Sequence, residues 1–211
     1  MISYGRSAPQ GRRWIHPVRS NDVKSWIREI RNKLLSTPDT VCLQRAQLVT
    51  EAYRAHASEP IPIKRAKAFA HVLRHMDLDL ETNPIFAGNT SSRPRAWMLV
   101  PEHGFHQPMQ VLIENDGLEG LLDGQIPQDL YHYWQDKSLG GGAGIGHLAV
   151  DLNRVVHQGL QALIAEAQSE RTECDPQCQT YRHAMAIALQ AVVDWAQRYA
   201  DAAQAAAARE Q

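Results

Sequence analysis

The chain has 211 residues, of which 44% are hydrophobic and 21% are charged, and its formal net charge is -1. These values suit one globular unit and exclude wholesale disorder. The balanced charge argues against a nucleic-acid or acidic membrane partner, and no apolar run reaches the ~18 residues of a membrane span. We therefore predict a folded protein that binds neither nucleic acid nor a membrane.

The amino terminus and the cysteines bear on location. Residues 1–20 are rich in Gly, Pro, Ser and Arg and lack the apolar segment of a secretory signal, so we predict a flexible arm. The three cysteines, Cys42, Cys174 and Cys178, are too few for a disulfide framework. The interpretation is a cytoplasmic protein in a reducing compartment.

The first half of the chain favours three helices. An apolar stripe predicts a first helix that ends near Ser36. A second helix is predicted to begin near Val41, and it must end before Pro60 because proline cannot continue a helix interior. Pro62 suits the first turn of a third helix. The predicted core stripe of that third helix consists of Ile63, Ala66, Phe69, Ala70 and Leu73.

The second half is more irregular. Prolines and glycines between Asn83 and Met109 exclude a long helix, and Ala96–Val100 is predicted to be a strand or extended segment. A short helix is predicted around Gln128–Lys137, and a long one from about Asp151 to Ser169. The last predicted helix runs from about Gln179 beyond Ala200. The fold class is therefore mainly α with one or two short strands.

The glycine-rich loop 140–146 raises the question of nucleotide binding. A phosphate-binding loop needs a lysine where His147 stands and a serine or threonine where Leu148 stands, and the G-x-G-x-x-G pattern fails in every register. The glycines instead permit close backbone approach. No nucleotide site is predicted.

Two other patterns are weighed against structural explanations. His71 and His75 share a helix face and could grip a metal, but the glutamate of H-E-x-x-H is missing, so surface histidines are favoured and no metal site is predicted. Cys174 and Cys178 approach the three-cysteine spacing of radical S-adenosylmethionine enzymes, but Tyr181 occupies the third position. They are interpreted as structural or incidental.

Four stretches carry a stronger signal together. They are, in chain order, Val41–Tyr53, Glu59–Ala68, Gly88–Glu102 and Gly146–Gly159. They resemble, respectively, the elements C-L-E-R-A-x-L-V-T-E-S-Y, E-P-x-x-x-R-R-A-K-A, G-N…P-R…P-E and G-H-x-x-x-D-Y-x-x-V-L-x-x-G of glycyl radical enzymes of the pyruvate formate-lyase type. Residues 21–211 are thus similar to the amino-terminal portion of that domain, which is incomplete here.

The resemblance implies the amino-terminal part of a pyruvate formate-lyase-like α/β barrel. In that family a glycyl radical, installed by an activating enzyme that uses S-adenosylmethionine and an iron–sulfur cluster, generates a thiyl radical on a cysteine. The sequence contains neither the cysteine loop nor the glycyl loop. The resemblance therefore implies a segment with no catalytic residue and no bound cofactor of its own. Its implied partners are a small-molecule substrate, the remainder of the barrel in the same or a separate chain, the activating enzyme and, as a homodimer, a second copy.

The implied function is that of the amino-terminal segment of a glycyl radical enzyme of anaerobic metabolism, of the lyase, dehydratase or formate acetyltransferase type. Such an enzyme cleaves a bond of a small substrate by radical chemistry, and this chain alone is expected to be inactive. The alternative is a non-catalytic helical subunit or binding module of a split radical enzyme. Burial of Trp26 and Trp195 would favour the alternative, whereas an exposed Leu/Val face would favour a fragment.

The resemblance also suggests site residues. His147 follows the glycine loop at the position where family members orient substrate, and its imidazole could hydrogen-bond a hydroxyl or carboxylate. Arg93 and Arg95 could pair with a carboxylate or hold the stretch Gly88–Glu102, which we call the crossing segment, and the structural role is favoured. Asp151 is predicted to cap the following helix. Leu152 departs from the family's tyrosine, which leaves the enzyme subclass open.

Overall fold

The computed structural model describes residues 20–38, 40–80, 88, 91–93, 95–104, 128–135, 150–170 and 174–209. The chain divides into two compact units, Met1–Thr37 and Pro38–Gln211. The first contains helix α1, Ser20–Ser36, whose end agrees with the end predicted for the first helix. The backbone N–H and the hydroxyl of Thr37 both donate to the Lys33 carbonyl and so bond the last turn of α1. The predicted arm lies almost entirely outside the described residues.

The second unit is mainly helical with two short strands, as predicted. Its described elements are β1 (Thr40–Cys42), α2 (Gln44–Ala55), α3 (Ile61–His75), β2 (Ala96–Met98), α4 (Pro101–Gly104), α5 (Gln128–Gln135), α6 (Leu152–Gln158), α7 (Leu160–Gln168) and α8 (Pro176–Arg209). No helix among the described residues is long and apolar enough to cross a bilayer.

The prediction that the second helix begins near Val41 is wrong. Val41 lies in β1, which pairs in parallel with β2 so that Val41 stands opposite Trp97. Both Val41 and Cys42 are buried. The helix begins only at Gln44, because pairing with a distant strand satisfies the backbone groups of residues 40–42 before the helix starts. The strand predicted within Ala96–Val100 is confirmed by β2.

Helix α3 starts where the prolines predicted, with Pro60 as N-cap and a proline in the first turn. Its burial differs from the single predicted stripe. Ile63 and Ala66 pack against α8, whereas Val72 belongs to the core shared with α2. Phe69, predicted to be buried, is 43% exposed. The helix lies between two partners and therefore buries two faces.

The helix predicted over Asp151–Ser169 is two helices in the structure. Gly159 separates α6 from α7 with φ 79° and ψ 158°, and its N–H donates to the Val155 carbonyl. A glycine adopts this backbone conformation without the penalty of a Cβ, which explains a break that the apolar periodicity did not reveal. The last helix begins at Pro176, three residues before the predicted start at Gln179, and the Asp175 carboxylate accepts a hydrogen bond from the Cys178 N–H at 2.7 Å.

The main hydrophobic core joins β1, α2, α3 and α5. Trp134 is fully buried at its centre and stacks at an angle on Tyr53, with ring centroids 4.9 Å apart. The indole N–H of Trp134 donates to the Thr50 hydroxyl at 2.7 Å, and that hydroxyl donates to the Ala46 carbonyl at 2.6 Å. This chain of bonds satisfies the buried indole N–H of Trp134 and the buried hydroxyl of Thr50.

Helix α8 is fixed to the carboxyl end of α3. The guanidinium of Arg198 donates to the carbonyl of Leu73 at 2.6 Å and to that of Met76 at 3.0 Å. These bonds satisfy carbonyls that a helix end leaves without intrahelical partners. An ion pair between Arg74 and Asp194, 2.7 Å apart, adds a second link between the same two helices.

Candidate functional site

A cavity of about 510 Å³ lies between α2, α3, β2, α4 and α8, and we call it the central cavity. Its wall is mostly apolar and includes Phe69, Leu73 and Met98. Ligand sites commonly fall in the range of about 300–1,000 Å³ and combine an apolar wall with a few polar groups. The central cavity has that character, since charged side chains from three different segments complete its lining.

The polar part of the lining is built around one ion pair. Arg45 of α2 and Glu102 of α4 are 2.6 Å apart between Nη2 and Oε1, and their side chains are only 21% and 11% exposed. The other terminal atoms, Nη1 of Arg45 and Oε2 of Glu102, are buried and have no hydrogen-bond partner among the described residues. A buried polar atom left unpaired costs about 1–3 kcal/mol, so this part of the wall is held at an energetic cost.

Tyr53 adds a neutral donor to the same wall. Burial raises the pKa of its phenol, and the negative charge of Glu102 acts in the same direction, while a hydrogen bond with Arg65 opposes both. The net effect is a pKa above the ordinary value of 10.0, so the phenol keeps its proton throughout the neutral range.

Gly88 fixes the indole of Trp195, which also lines the central cavity. Its φ is +120°, and a Cβ built on it would lie 2.8 Å from Cη2 of Trp195. No side chain fits there without displacing the indole. The indole N–H of Trp195 is buried and has no acceptor in the part of the chain that the structure describes. Trp195 is partly buried rather than fully enclosed.

The cavity brings together residues that the sequence reasoning did not single out. Arg45 lies in the stretch Val41–Tyr53 and Glu102 ends the stretch Gly88–Glu102, so both belong to quoted matches. Their pairing spans 57 positions along the chain. The sequence shows that both charged residues lie in stretches that resemble the family. Only the fold shows that the two side chains contact each other.

Of the residues predicted to contact substrate, the two that the structure describes lie elsewhere. Arg93 and Arg95 are exposed, and neither lines the central cavity as far as the structure describes it. Their backbone carbonyls hold the crossing segment, because Ser91 Oγ donates to the Arg93 carbonyl and the Thr40 N–H donates to the Arg95 carbonyl. His147 lies outside the described residues.

Asp151 occupies the N-cap position of α6. Its carboxylate accepts a hydrogen bond from the Arg154 backbone N–H at 3.1 Å. This bond satisfies one of the free donors at the start of that helix.

His71 and His75, considered above as a metal site, form hydrogen bonds with other groups of the protein. His71 Nε2 lies 3.1 Å from a carboxylate oxygen of Glu51, and His75 Nδ1 donates to the carbonyl of His71 at 2.8 Å. Among the described residues, no three ligand-type side chains are grouped to hold a metal.

Cys174 and Cys178 form a disulfide with a Cα–Cα distance of 5.4 Å. The cysteine count argued against a disulfide framework and did not anticipate this single local bridge.

The third cysteine, Cys42, is a buried free thiol. Burial alone would raise its pKa, but hydrogen bonds from the Ser92 hydroxyl and from the backbone N–H groups of Ser92, Arg45 and Gln44 outweigh that effect. The pKa therefore lies below its ordinary value. The distance from Sγ to the Ser92 Oγ is 3.0 Å, and this contact ties β1 to the crossing segment that leads into β2.

Comparison with known proteins places these features in context. The sequence profile described as pyruvate formate lyase-like matches residues 21–211. The (2S)-3-sulfopropanediol dehydratase of Klebsiella oxytoca is 26% identical, over 88% of this chain and 28% of its own length. The probable dehydratase YbiW of Escherichia coli strain K12 is 28% identical, over 81% of this chain and 26% of its own length. The chain thus spans about a quarter of the length of these relatives.

Solved structures show the same fold. A glycyl radical enzyme from Archaeoglobus fulgidus aligns with 88% of this chain at a TM-score of 0.76 and 21% identity. The B12-independent glycerol dehydratase from Clostridium butyricum aligns with 88% at a TM-score of 0.71 and 20% identity. In both cases the alignment covers 28% of the other chain.

Proposed function

The chain belongs to the pyruvate formate lyase-like family, and we propose that it forms the amino-terminal part of a glycyl radical dehydratase acting on a small hydroxylated substrate. The match to the (2S)-3-sulfopropanediol dehydratase, which extends over 88% of this chain, is the observation that carries the proposal. The second curated relative is also described as a dehydratase. These relatives favour the dehydratase type over the formate acetyltransferase type.

In this proposal the chain contributes part of the scaffold and one substrate-contacting residue. The radical chemistry is performed by the cysteine and glycyl loops, which are not in this sequence. The family's radical resides on a glycine and passes to a cysteine, and the sequence here contains neither of those loops. No radical step is therefore assigned to the residues of this chain. The ion pair between Arg45 and Glu102 holds α2 against α4, and the resemblance suggests that such helices wrap an α/β barrel.

His147 is the residue proposed to contact substrate. An imidazole can donate a hydrogen bond to a substrate hydroxyl or accept one from it, and it can carry a proton near neutral pH. Arg93 and Arg95 are weaker proposals for a carboxylate or sulfonate group, because their backbones already serve the crossing segment.

The experiment assembles the complete enzyme under anaerobic conditions. This chain is combined with the polypeptide of the same organism that carries the cysteine and glycyl loops, together with the activating enzyme and S-adenosylmethionine. We expect a glycyl radical signal in the electron paramagnetic resonance spectrum and loss of water from a 1,2-diol. Neither is expected when either polypeptide is omitted. Activity without this chain would refute the proposal.

A His147→Ala variant tests the residue assignment in the same assembly. We expect kcat/KM to fall by a factor of about 10²–10⁴, the usual range for a positioned acid–base group, while the radical signal keeps its amplitude. His132→Ala serves as the matched control, since His132 lies exposed on α5. Equal losses in both variants would indicate a structural role.

The alternative is a non-catalytic helical subunit. The features set out for this choice do not support it, because Trp195 is only partly buried and Val150, Leu152 and Val156 are exposed, as expected of a fragment. The assembly experiment separates the two, because a binding subunit would associate with the radical polypeptide without being required for the reaction.

A further inference from the structure

Helix α6 differs from its neighbours in that it buries no side chain. Val150, Leu152 and Val156 are 67%, 67% and 77% exposed. Leu152 and Val156 are four residues apart and therefore share one face of the helix. Val150 directly precedes the capping residue. We call these three side chains the α6 aliphatic face.

The helix is nevertheless firmly placed. The Asp151 carboxylate caps its start, and Gly159 ends it. Arg154 reaches from α6 to the carboxylate of Glu166 on α7, 2.5 Å away. A helix of seven residues is too short to be stable by its own hydrogen bonds, so these polar ties hold it. They fix α6 against α7 and leave the aliphatic face in solvent.

Other exposed apolar side chains have a different setting. Phe69 and Met98 line the central cavity, and Ile27 and Leu35 lie on α1. Ile61 lies on α3, and Tyr181 and Met185 lie on α8, with exposures of 62%, 52% and 55%. Both of those helices bury other side chains against each other, so their exposed residues are the outer positions of packed helices. None of the described residues covers the aliphatic face of α6. It could become buried only through contact with other residues.

The comparisons indicate what that cover is. The Archaeoglobus fulgidus enzyme shares this fold at a TM-score of 0.76, yet only 28% of its chain is matched. The rest of such an enzyme must contact the shared portion somewhere, and aliphatic side chains exposed on a fixed helix are the kind of surface that protein interfaces bury.

We propose that the α6 aliphatic face is the docking surface for the polypeptide that completes the glycyl radical fold. The proposal rests on the proposed function, since it requires such a polypeptide, and it adds the surface that recognises it. The expected partner surface is apolar at its centre and polar around it, because Asn153, Arg154 and His157 surround the face on α6.

The test compares two matched charge insertions. The double variant Leu152→Asp/Val156→Asp alters the α6 face, and Tyr181→Asp/Met185→Asp alters two exposed apolar positions with the same spacing on α8. Because all four positions are exposed, the melting temperature of this chain alone should stay within about 2 °C of the unaltered value in both variants. Binding of the polypeptide that carries the radical loops is then titrated anaerobically. The α6 variant should bind about 30-fold more weakly or worse, and the α8 variant should bind normally.

Each outcome has a distinct meaning. If the unaltered chain does not bind the radical polypeptide, the proposed function fails. If it binds and the α6 variant binds equally well, the function stands and the docking surface is refuted. Sedimentation equilibrium of this chain alone completes the test: a dimer that the α6 substitutions dissociate would identify a second copy as the occupant and overturn the proposal. Where the completing sequence continues this chain, the same substitutions should lower the melting temperature of the continuous protein by several degrees and leave that of the 211-residue chain unchanged.

Discussion

The region around the central cavity and helix α6 represent opposite ways of holding secondary structure. Around the cavity, helices α2, α3 and α8 bury side chains against one another, and even the charged pair Arg45–Glu102 is largely removed from water. Helix α6 has no fully buried side chain and is held by a cap, an exposed ion pair and a terminal glycine. The first region is packed within this chain, whereas α6 exposes the aliphatic face that we propose as a docking surface.

The two regions should differ most in how much the free energy of unfolding falls when an apolar side chain is replaced by alanine. Trp134→Ala removes a fully buried indole and should lower the free energy of unfolding by about 3–5 kcal/mol. Leu152→Ala on α6 should change it by no more than about 0.5 kcal/mol, because the side chain is mostly in water already. Urea denaturation of the isolated chain measures both. A large loss for Leu152→Ala would show that α6 is packed within this chain.

Replacing the arginine of an ion pair should cost more stability in the buried pair of the central cavity than in the exposed pair of α6. Arg45→Met leaves the buried Glu102 carboxylate without its partner, at a cost of about 3 kcal/mol. Arg154→Met removes the α6–α7 pair, whose side chains are 44% and 46% exposed, and should cost less than about 1 kcal/mol. The double variant Arg45→Met/Glu102→Leu should recover much of the first loss, since no charge is then left buried. Equal losses for the two single variants would contradict the contrast.

Two glycines with positive φ provide a matched pair. Gly88→Ala forces a Cβ against the Trp195 indole in addition to backbone strain, and we expect a loss of about 2 kcal/mol. Gly159→Ala at the end of α6 meets no atom within 4 Å and should cost about 1 kcal/mol from the backbone alone. Thermal unfolding of the two variants gives the difference, and tryptophan fluorescence should change only for Gly88→Ala.

The smallest expected effect is a dependence of stability on acid. Hydrogen bonds from Gln190 and Arg74 hold the pKa of Asp194 below its ordinary value of 3.8. Because the folded-state pKa is depressed, the resulting stabilisation is fully present above about pH 4 and is lost as the pH falls through the folded-state value. In Asp194→Asn the melting temperature should fall less steeply between pH 4 and pH 2 than in the unaltered chain. An identical slope would show that this link between α3 and α8 contributes nothing.

Local chemistry made several elements predictable. The prolines at 60 and 62 place the start of α3, and Asp151 marks the start of α6, because both residue types act within one helical turn. The short strand near residue 97 was also predictable, since prolines bound its apolar run. Four ordered stretches were enough to suggest the family that the sequence profile then matched over residues 21–211.

Other features depended on partners far along the chain. Residues 40–42 have a sequence compatible with a helix start, and only pairing with residues 96–98 makes them a strand. The two buried faces of α3 follow from its position between α2 and α8, which no periodicity within the helix encodes. The candidate site was missed for the same reason, because Arg45 and Glu102 meet only after the chain has folded.

The sequence by itself placed the starts of α3 and α6, because capping residues and prolines act on the backbone within a few positions. It revealed neither the start of α2 nor the break at Gly159. It also indicated the family, because motifs in a fixed order can be identified in the sequence before their contacts are known. Only the tertiary structure decided which side chains are buried, which charges are paired and which helix keeps an exposed apolar face. Burial and pairing depend on distances between residues that lie tens of positions apart, and those distances exist only in the folded chain.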